Sequence, residues 1–101
     1  METTLTPVVL PVSKGEQLKV LQVTGKAGMR MPRHFATAEA VLFIQEGVAT
    51  LFLEGQEHLL KKGDTFIIPA GKIHSLQLNS GFRAMVIMPE NAVIRFDDHP
   101  A

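Results

Sequence analysis

Four glycines stand at one interval: Gly47, Gly55, Gly63 and Gly71 are each eight residues after the last, and Gly81 follows ten later. Between them lie short runs rich in Val, Ile, Leu, Phe and Thr, the rhythm of short strands joined by tight turns in an all-β sandwich or barrel. Glu46-Gly47, Glu54-Gly55, Gly63-Asp64 and Ser80-Gly81 read as the turns. The pattern predicts strands near 8–12, 18–24, 34–45, 48–53, 56–61, 65–68, 73–79, 82–88 and 92–96. No segment carries a helical stripe. The best candidate, Phe35 to Ala40, contains good helix formers but is short and has strand-like flanks.

A chain of 101 residues makes one domain, residues 1–101. It is large enough to bury roughly 60–65% of its unfolded surface in a single core. Ten basic and ten acidic residues cancel, and they are scattered. No like-charge run points to nucleic acid or to an anionic membrane surface. Without cysteine there are no disulfides, thiolate nucleophiles or thiolate metal ligands. The start, Met1-Glu2-Thr3-Thr4, lacks a basic and apolar leader pattern, and no apolar run reaches the ~18 residues of a membrane span. These features set the expectation of a cytoplasmic protein with neither nucleic acid nor membrane as partner.

Three runs are apolar at every position: Val41-Leu42-Phe43-Ile44, Phe66-Ile67-Ile68 and Ala84-Met85-Val86-Ile87-Met88. A half-exposed antiparallel strand alternates apolar with polar, so strands of this kind have both faces covered. One short chain lacks the material to cover both. The expected cover is a second copy, in a C2 homodimer.

Chemistry centres on the four histidines, since imidazole is the commonest side-chain metal ligand and the usual general base near neutral pH. His99 is third from the end of the sequence, beside Asp97 and Asp98, and His58 lies in the polar stretch GQEHLLKKG, so both read as solvated or rim residues. His34 and His74 each sit at the edge of an apolar strand behind a loop with proline or glycine.

Around these two positions the chain resembles the cupins, small jelly-roll β-barrels, through both of their sequence motifs. The first, G(X)5HXH(X)3-4E(X)6G, is matched in spacing by Gly28, His34, Ala36, Ala40 and Gly47. The second, G(X)5PXG(X)2H(X)3N, is matched by Gly63, Pro69, Gly71 and His74, with Leu78 in place of the Asn and Asn79 one residue late. Motif segments 28–47 and 63–79 are separated by fifteen residues, as in the shortest microbial cupins. The resemblance implies an all-β cupin-type jelly-roll barrel of short antiparallel strands.

It also implies where a metal would sit. In the family the first-motif histidine pair, the glutamate and the second-motif histidine hold an ion inside the barrel. This chain keeps His34 and His74 and carries Ala36 and Ala40 at the other two places. H-X-H spacing puts both positions on one strand face, and four residues further on returns to it. Glu39 is one residue out of phase and would turn inward only through a bulge. The expectation is therefore weak or absent metal binding at His34 and His74, with no resident cofactor beyond a loosely held divalent zinc, nickel, manganese or iron ion.

Two functions follow. The first is a small-molecule-binding barrel whose pocket is lined by His34, Ala36, Ala40 and His74, with adaptable methionines such as Met31 and Met85 filling out the wall and Met29 and Met88 beside them. Here the alanines enlarge the cavity, and no catalytic residue is assigned. The alternative is a metal-dependent enzyme of the dioxygenase, isomerase or lyase kind, using His34 and His74 with a non-standard third ligand. A transcriptional sensor would need a separate DNA-binding partner, as the chain has no helix-turn-helix segment. Alternation aims Arg33 away from the face of His34. Gly25 to Gly28 is too short for a phosphate loop, and Ser75 has no nucleophile elbow around it.

Overall fold

The computed structural model describes residues 6–97. His99 and its neighbour Asp98 lie outside the described residues. Ten strands follow in chain order: β1 (Val8–Lys14), β2 (Leu18–Gly25), β3 (Arg30–Ala36), β4 (Ala40–Glu46), β5 (Val48–Leu53), β6 (Gln56–Lys61), β7 (Thr65–Ile68), β8 (His74–Leu78), β9 (Phe82–Pro89) and β10 (Ile94–Phe96). They form two antiparallel five-stranded sheets, ordered β1-β2-β9-β4-β7 and β10-β3-β8-β5-β6. There is no helix among the described residues, and hence none long and apolar enough to cross a membrane.

The eight-residue rhythm marks the turns at the ends of β4, β5, β6 and β7. Gly47 shows why glycine stands there: its φ is +86°, and a Cβ would run into the backbone carbonyl of Gly81 in the β8–β9 turn. Gly71, at φ +74°, lets the β7–β8 loop fold back so that its N–H donates to the Ala36 carbonyl at 2.8 Å. The second glycine thus ties the loop before His74 to the end of the strand that carries His34.

The expected strand 34–45 is two strands in different sheets. Residues 37–39 break it, because Thr37 turns out to bond with Val93: its N–H donates to the Val93 carbonyl at 3.0 Å, and its Oγ1 accepts from the Val93 N–H at 2.9 Å. The break lets the chain pass from one sheet to the other, a step for which no glycine or proline is needed.

Inside the sandwich the side chains form two groups. The larger is built from Leu42, Ile44, Leu51, Leu76, Leu78 and Phe82 with their neighbours, and Ile44, Leu51 and Leu78 are the bulkiest fully buried side chains. The smaller group consists of Ala36, Ala40, Met88 and Ala92, with Leu21, Val86 and Ile94 against it. One part of the interior is thus filled by large branched side chains, and the other is walled by methyl groups and a methionine.

Candidate functional site

The site begins with a register. His34 in β3 lies directly opposite His74 in β8, so both side chains leave the sheet on the same side, into the interior. Their relative exposures, 8% and 6%, make them the only buried polar or charged residues among the described ones. The ring centroids are 4.2 Å apart in an edge-on arrangement. Phe96 of β10, paired with His34 on its other side, places its ring 5.4 Å from the His34 ring.

A bulge sets up this end of β3. Met31 pairs with Leu76 and His34 with His74, so Pro32 and Arg33 together oppose the single residue Ser75. Strict alternation from His34 would turn Met31 outward; the extra residue returns it to the inner wall. Proline, which has no N–H to give to a ladder, fits a bulge. Its freed carbonyl accepts from His34 Nδ1–H at 2.6 Å. The same device recurs at the second histidine, whose Nδ1–H donates to the Lys72 carbonyl at 3.0 Å. Each ring is thus held by the carbonyl two residues before it, the Nδ1–H tautomer is fixed, and each Nε2 keeps an unshared lone pair.

Burial shifts both histidines in one direction. Loss of water pulls the pKa of His34 below the ordinary value, the Pro32 carbonyl works against this, and the nearby His74 pushes it further down. For His74 burial again lowers the pKa, opposed by the Lys72 carbonyl. Both are therefore neutral at pH 7.

The two rings open on a cavity of about 60 Å³ between the sheets. Apart from them its lining is wholly apolar, and it includes Met31, Ala36, Ala40, Leu42, Val86 and Met88. His34, Ala36, Ala40, His74 and Met31 converge there. Ala40 arrives by a different route from the one its spacing suggests, from β4 in the opposite sheet, yet it faces the same space. Met85 does not join the lining. In β9 the residues that point inward are Ala84, Val86 and Met88, while Met85 stands opposite Gln22 and Phe43 on the outer face. The wall methionine of β9 is Met88.

Other polar candidates lie elsewhere. Glu39 is exposed in the β3–β4 connection. Arg33 is on the surface, where its Nη2 pairs with Asp97 Oδ2 at 3.0 Å. His58 is a half-buried rim residue whose ring tilts against Phe66 at 4.9 Å. Among the described residues no group of three His, Cys, Asp or Glu side chains comes together in a way that could hold a metal. The two carbonyls that fix the histidine tautomers were not evident from residue types. Proline two residues before His34 was their one visible sign.

Comparison with solved structures places this architecture. A conserved protein of Klebsiella pneumoniae with a double-stranded β-helix domain superposes with a TM-score of 0.83 at 19% identity, covering 98% of this chain and 90% of that one. An RmlC-like cupin of Methanocaldococcus jannaschii with the double-stranded β-helix fold gives 0.75 at 25% identity, over 85% of this chain and 82% of that one. Salicylate 1,2-dioxygenase of Pseudoaminobacter salicylatoxidans gives 0.81 at 17% identity, over 92% of this chain but 30% of the enzyme. No curated protein matches the sequence. The family model for the AraC-like ligand binding domain matches residues 20–96, the span from β2 to β10. A barrel shared with cupins, matched over that span by the family model, identifies the chain as a small cupin domain belonging to the AraC-like ligand binding domain family.

Proposed function

We propose that this chain binds a small organic molecule in the space between its sheets, at His34, Ala36, Ala40, His74 and Met31, and that it works without a catalytic metal. The observation that carries the reading is the donor set: two neutral imidazoles face an otherwise apolar cavity, and Ala36 and Ala40 present methyl groups beside them. Catalytic metals are held by three or more protein ligands with a carboxylate commonly among them, and among the described residues nothing anionic lines the cavity to offset the charge of a dication. These residues do not fit such a centre. An apolar space with a few placed polar groups suits an organic ligand. The matching family's description as ligand binding agrees with this.

The cavity is narrower than the alanines lead one to expect. An engineered apolar cavity of about 150 Å³ accepts benzene, and this one measures about 60 Å³. Met31 and Met88, with flexible unbranched side chains, are the wall residues that can move to admit more. The competing reading, a metal-dependent dioxygenase, isomerase or lyase, draws on the Nδ1 contacts, since metal-binding histidines are oriented in this way. It needs a third ligand.

The test is metal content. Tag-free protein purified from metal-supplemented medium is expected to contain far less than one equivalent of any transition metal by mass spectrometry, unchanged in His34→Ala and His74→Ala. Near-stoichiometric metal that both substitutions abolish would establish the enzyme reading instead.

A second part of the proposal is self-association through the outer face of the β1-β2-β9-β4-β7 sheet. All three doubly apolar runs fall in this sheet, on the adjacent strands β9, β4 and β7. The register lines up Val20, Ile87, Val41 and Ile67 in one row and Leu10, Gln22, Met85, Phe43 and Thr65 in the next, with no charge in either. On the other sheet the outer rows are mixed: Gln77 and Thr50 stand beside the exposed Leu59, and Ser75 beside Phe52 and Glu57.

A further inference from the structure

We infer that the ligand of this cavity is an uncharged molecule with an apolar body and an O–H or N–H group that donates to His34 Nε2 or His74 Nε2; the inference rests on the small-molecule reading above. With both Nδ1–H groups spent on the carbonyls of Pro32 and Lys72, the rings offer the cavity two acceptors and no donor. The remaining lining supplies neither. A bound molecule therefore has to bring the hydrogen, or leave buried lone pairs unmatched.

The same inventory excludes charge. A carboxylate or phosphate would meet two lone pairs with no cation to balance it. The nearby basic side chains are engaged outside: Arg33 with Asp97 at 3.0 Å and Lys72 with Glu54 at 3.5 Å. An ammonium group could satisfy the lone pairs, but among the described residues no carboxylate lines the cavity to compensate for the water it gives up. A neutral alcohol, phenol or amide N–H meets both conditions. The apolar body would then lie against Met31, Ala36, Ala40 and Met88, which present only carbon and sulfur.

The test uses four probes of similar size: 1-butanol, butyrate, butylammonium and methyl propyl ether, titrated at pH 7.5 into the intact protein. Methyl groups of Met31 and Met88 and the imidazole nitrogens are followed by NMR. Butanol is expected to shift both methionine methyls and at least one Nε2 resonance, and to bind roughly tenfold or more tightly than either ion. The ether is expected to move the methyls weakly and the Nε2 resonances little. Both rings are expected to show the Nδ1–H tautomer before titration. Butyrate or butylammonium binding as tightly as butanol, or an Nε2–H tautomer at either ring, would overturn the inference while leaving a ligand-binding cavity in place. If no probe, the ether included, moves the Met31 and Met88 methyls, the small-molecule reading itself fails and the inference with it.

Discussion

His34 and His74 are two weak bases confined in a space that disfavours their charged forms, which couples their protonation to the stability of the fold. Both pKa values are lowered in the folded state, with burial the largest cause. A base whose folded pKa lies below its unfolded value, here about 6.5, binds protons more readily when unfolded. Its contribution is intact above that value and is lost as pH falls from there through the lowered folded value. Thermal melting between pH 8 and 5 is therefore expected to show a flat region, then a decline beginning near pH 6.5. In the double variant His34→Gln with His74→Gln that decline should be markedly shallower; an equal slope in both proteins would place the titrating groups elsewhere. Ala36 and Ala40 give a second experiment at this scale. Because both line the same cavity as the two histidines, Ala36→His with Ala40→Glu supplies two further ligands on the inner wall. That variant is expected to take up about one equivalent of zinc or nickel by calorimetry, at a stability cost of about 1–3 kcal/mol from overfilling a narrow site. Failure to bind any ion in a folded variant would mean that the four positions do not share one coordination sphere.

At the scale of strands and turns, glycines and bulges decide where side chains point. Gly47 and Gly55 both have positive φ, +86° and +78°, but only at Gly47 would a Cβ strike backbone, that of Gly81. Gly55→Ala therefore carries the conformational penalty alone, of order 1 kcal/mol, while Gly47→Ala adds a steric clash and is expected to cost about 2–3 kcal/mol. Urea midpoints would compare them, and equal losses would show that the two turns do not press on one another as described. These turns were the most legible part of the sequence, since a glycine at positive φ is a local requirement that leaves a local mark. The break at 37–39 left none: Thr37-Ala38-Glu39 contains neither glycine nor proline, and its cause is a long-range pair of hydrogen bonds to Val93. Met85 was misplaced for a related reason. A run such as Ala84 to Met88 is apolar on both faces, so its composition gives no phase, and only the pairing of Met85 with Gln22 and Phe43 shows which way it turns. The histidine pair was legible because each stands at the edge of an apolar strand, at a histidine position of the cupin motif spacing. The carbonyls that fix its tautomers belong to the backbone and were not.

For the whole molecule, one sheet has two faces that both need cover. Its inner side closes the cavity; its outer side carries Leu10 at 54% exposure, Ile67 at 55% and Phe43 at 37% in neighbouring rows free of charge. On the self-association proposed above, these contiguous apolar rows form the contact, and a self-complementary patch is satisfied by a two-fold axis through its middle. Fully burying one exposed apolar side chain contributes about 1.5–3 kcal/mol, and these start about half exposed, so both whole rows from each copy are needed to offset the cost of association. Light scattering is expected to give twice the 11.1 kDa chain mass. Ile67→Lys with Phe43→Lys should return the monomer, because a lysine from each partner would then be trapped in an apolar contact without a counter-ion. Both positions point away from the core, so the variant should keep its circular dichroism spectrum. The neutral-donor probe should still bind it, since the cavity is lined from the other side of the same strands. A native protein that stays at one chain mass at high micromolar concentration would rule out self-association through this face. A dimer that survives both lysines would move the contact elsewhere, the β1 edge being the next surface to substitute.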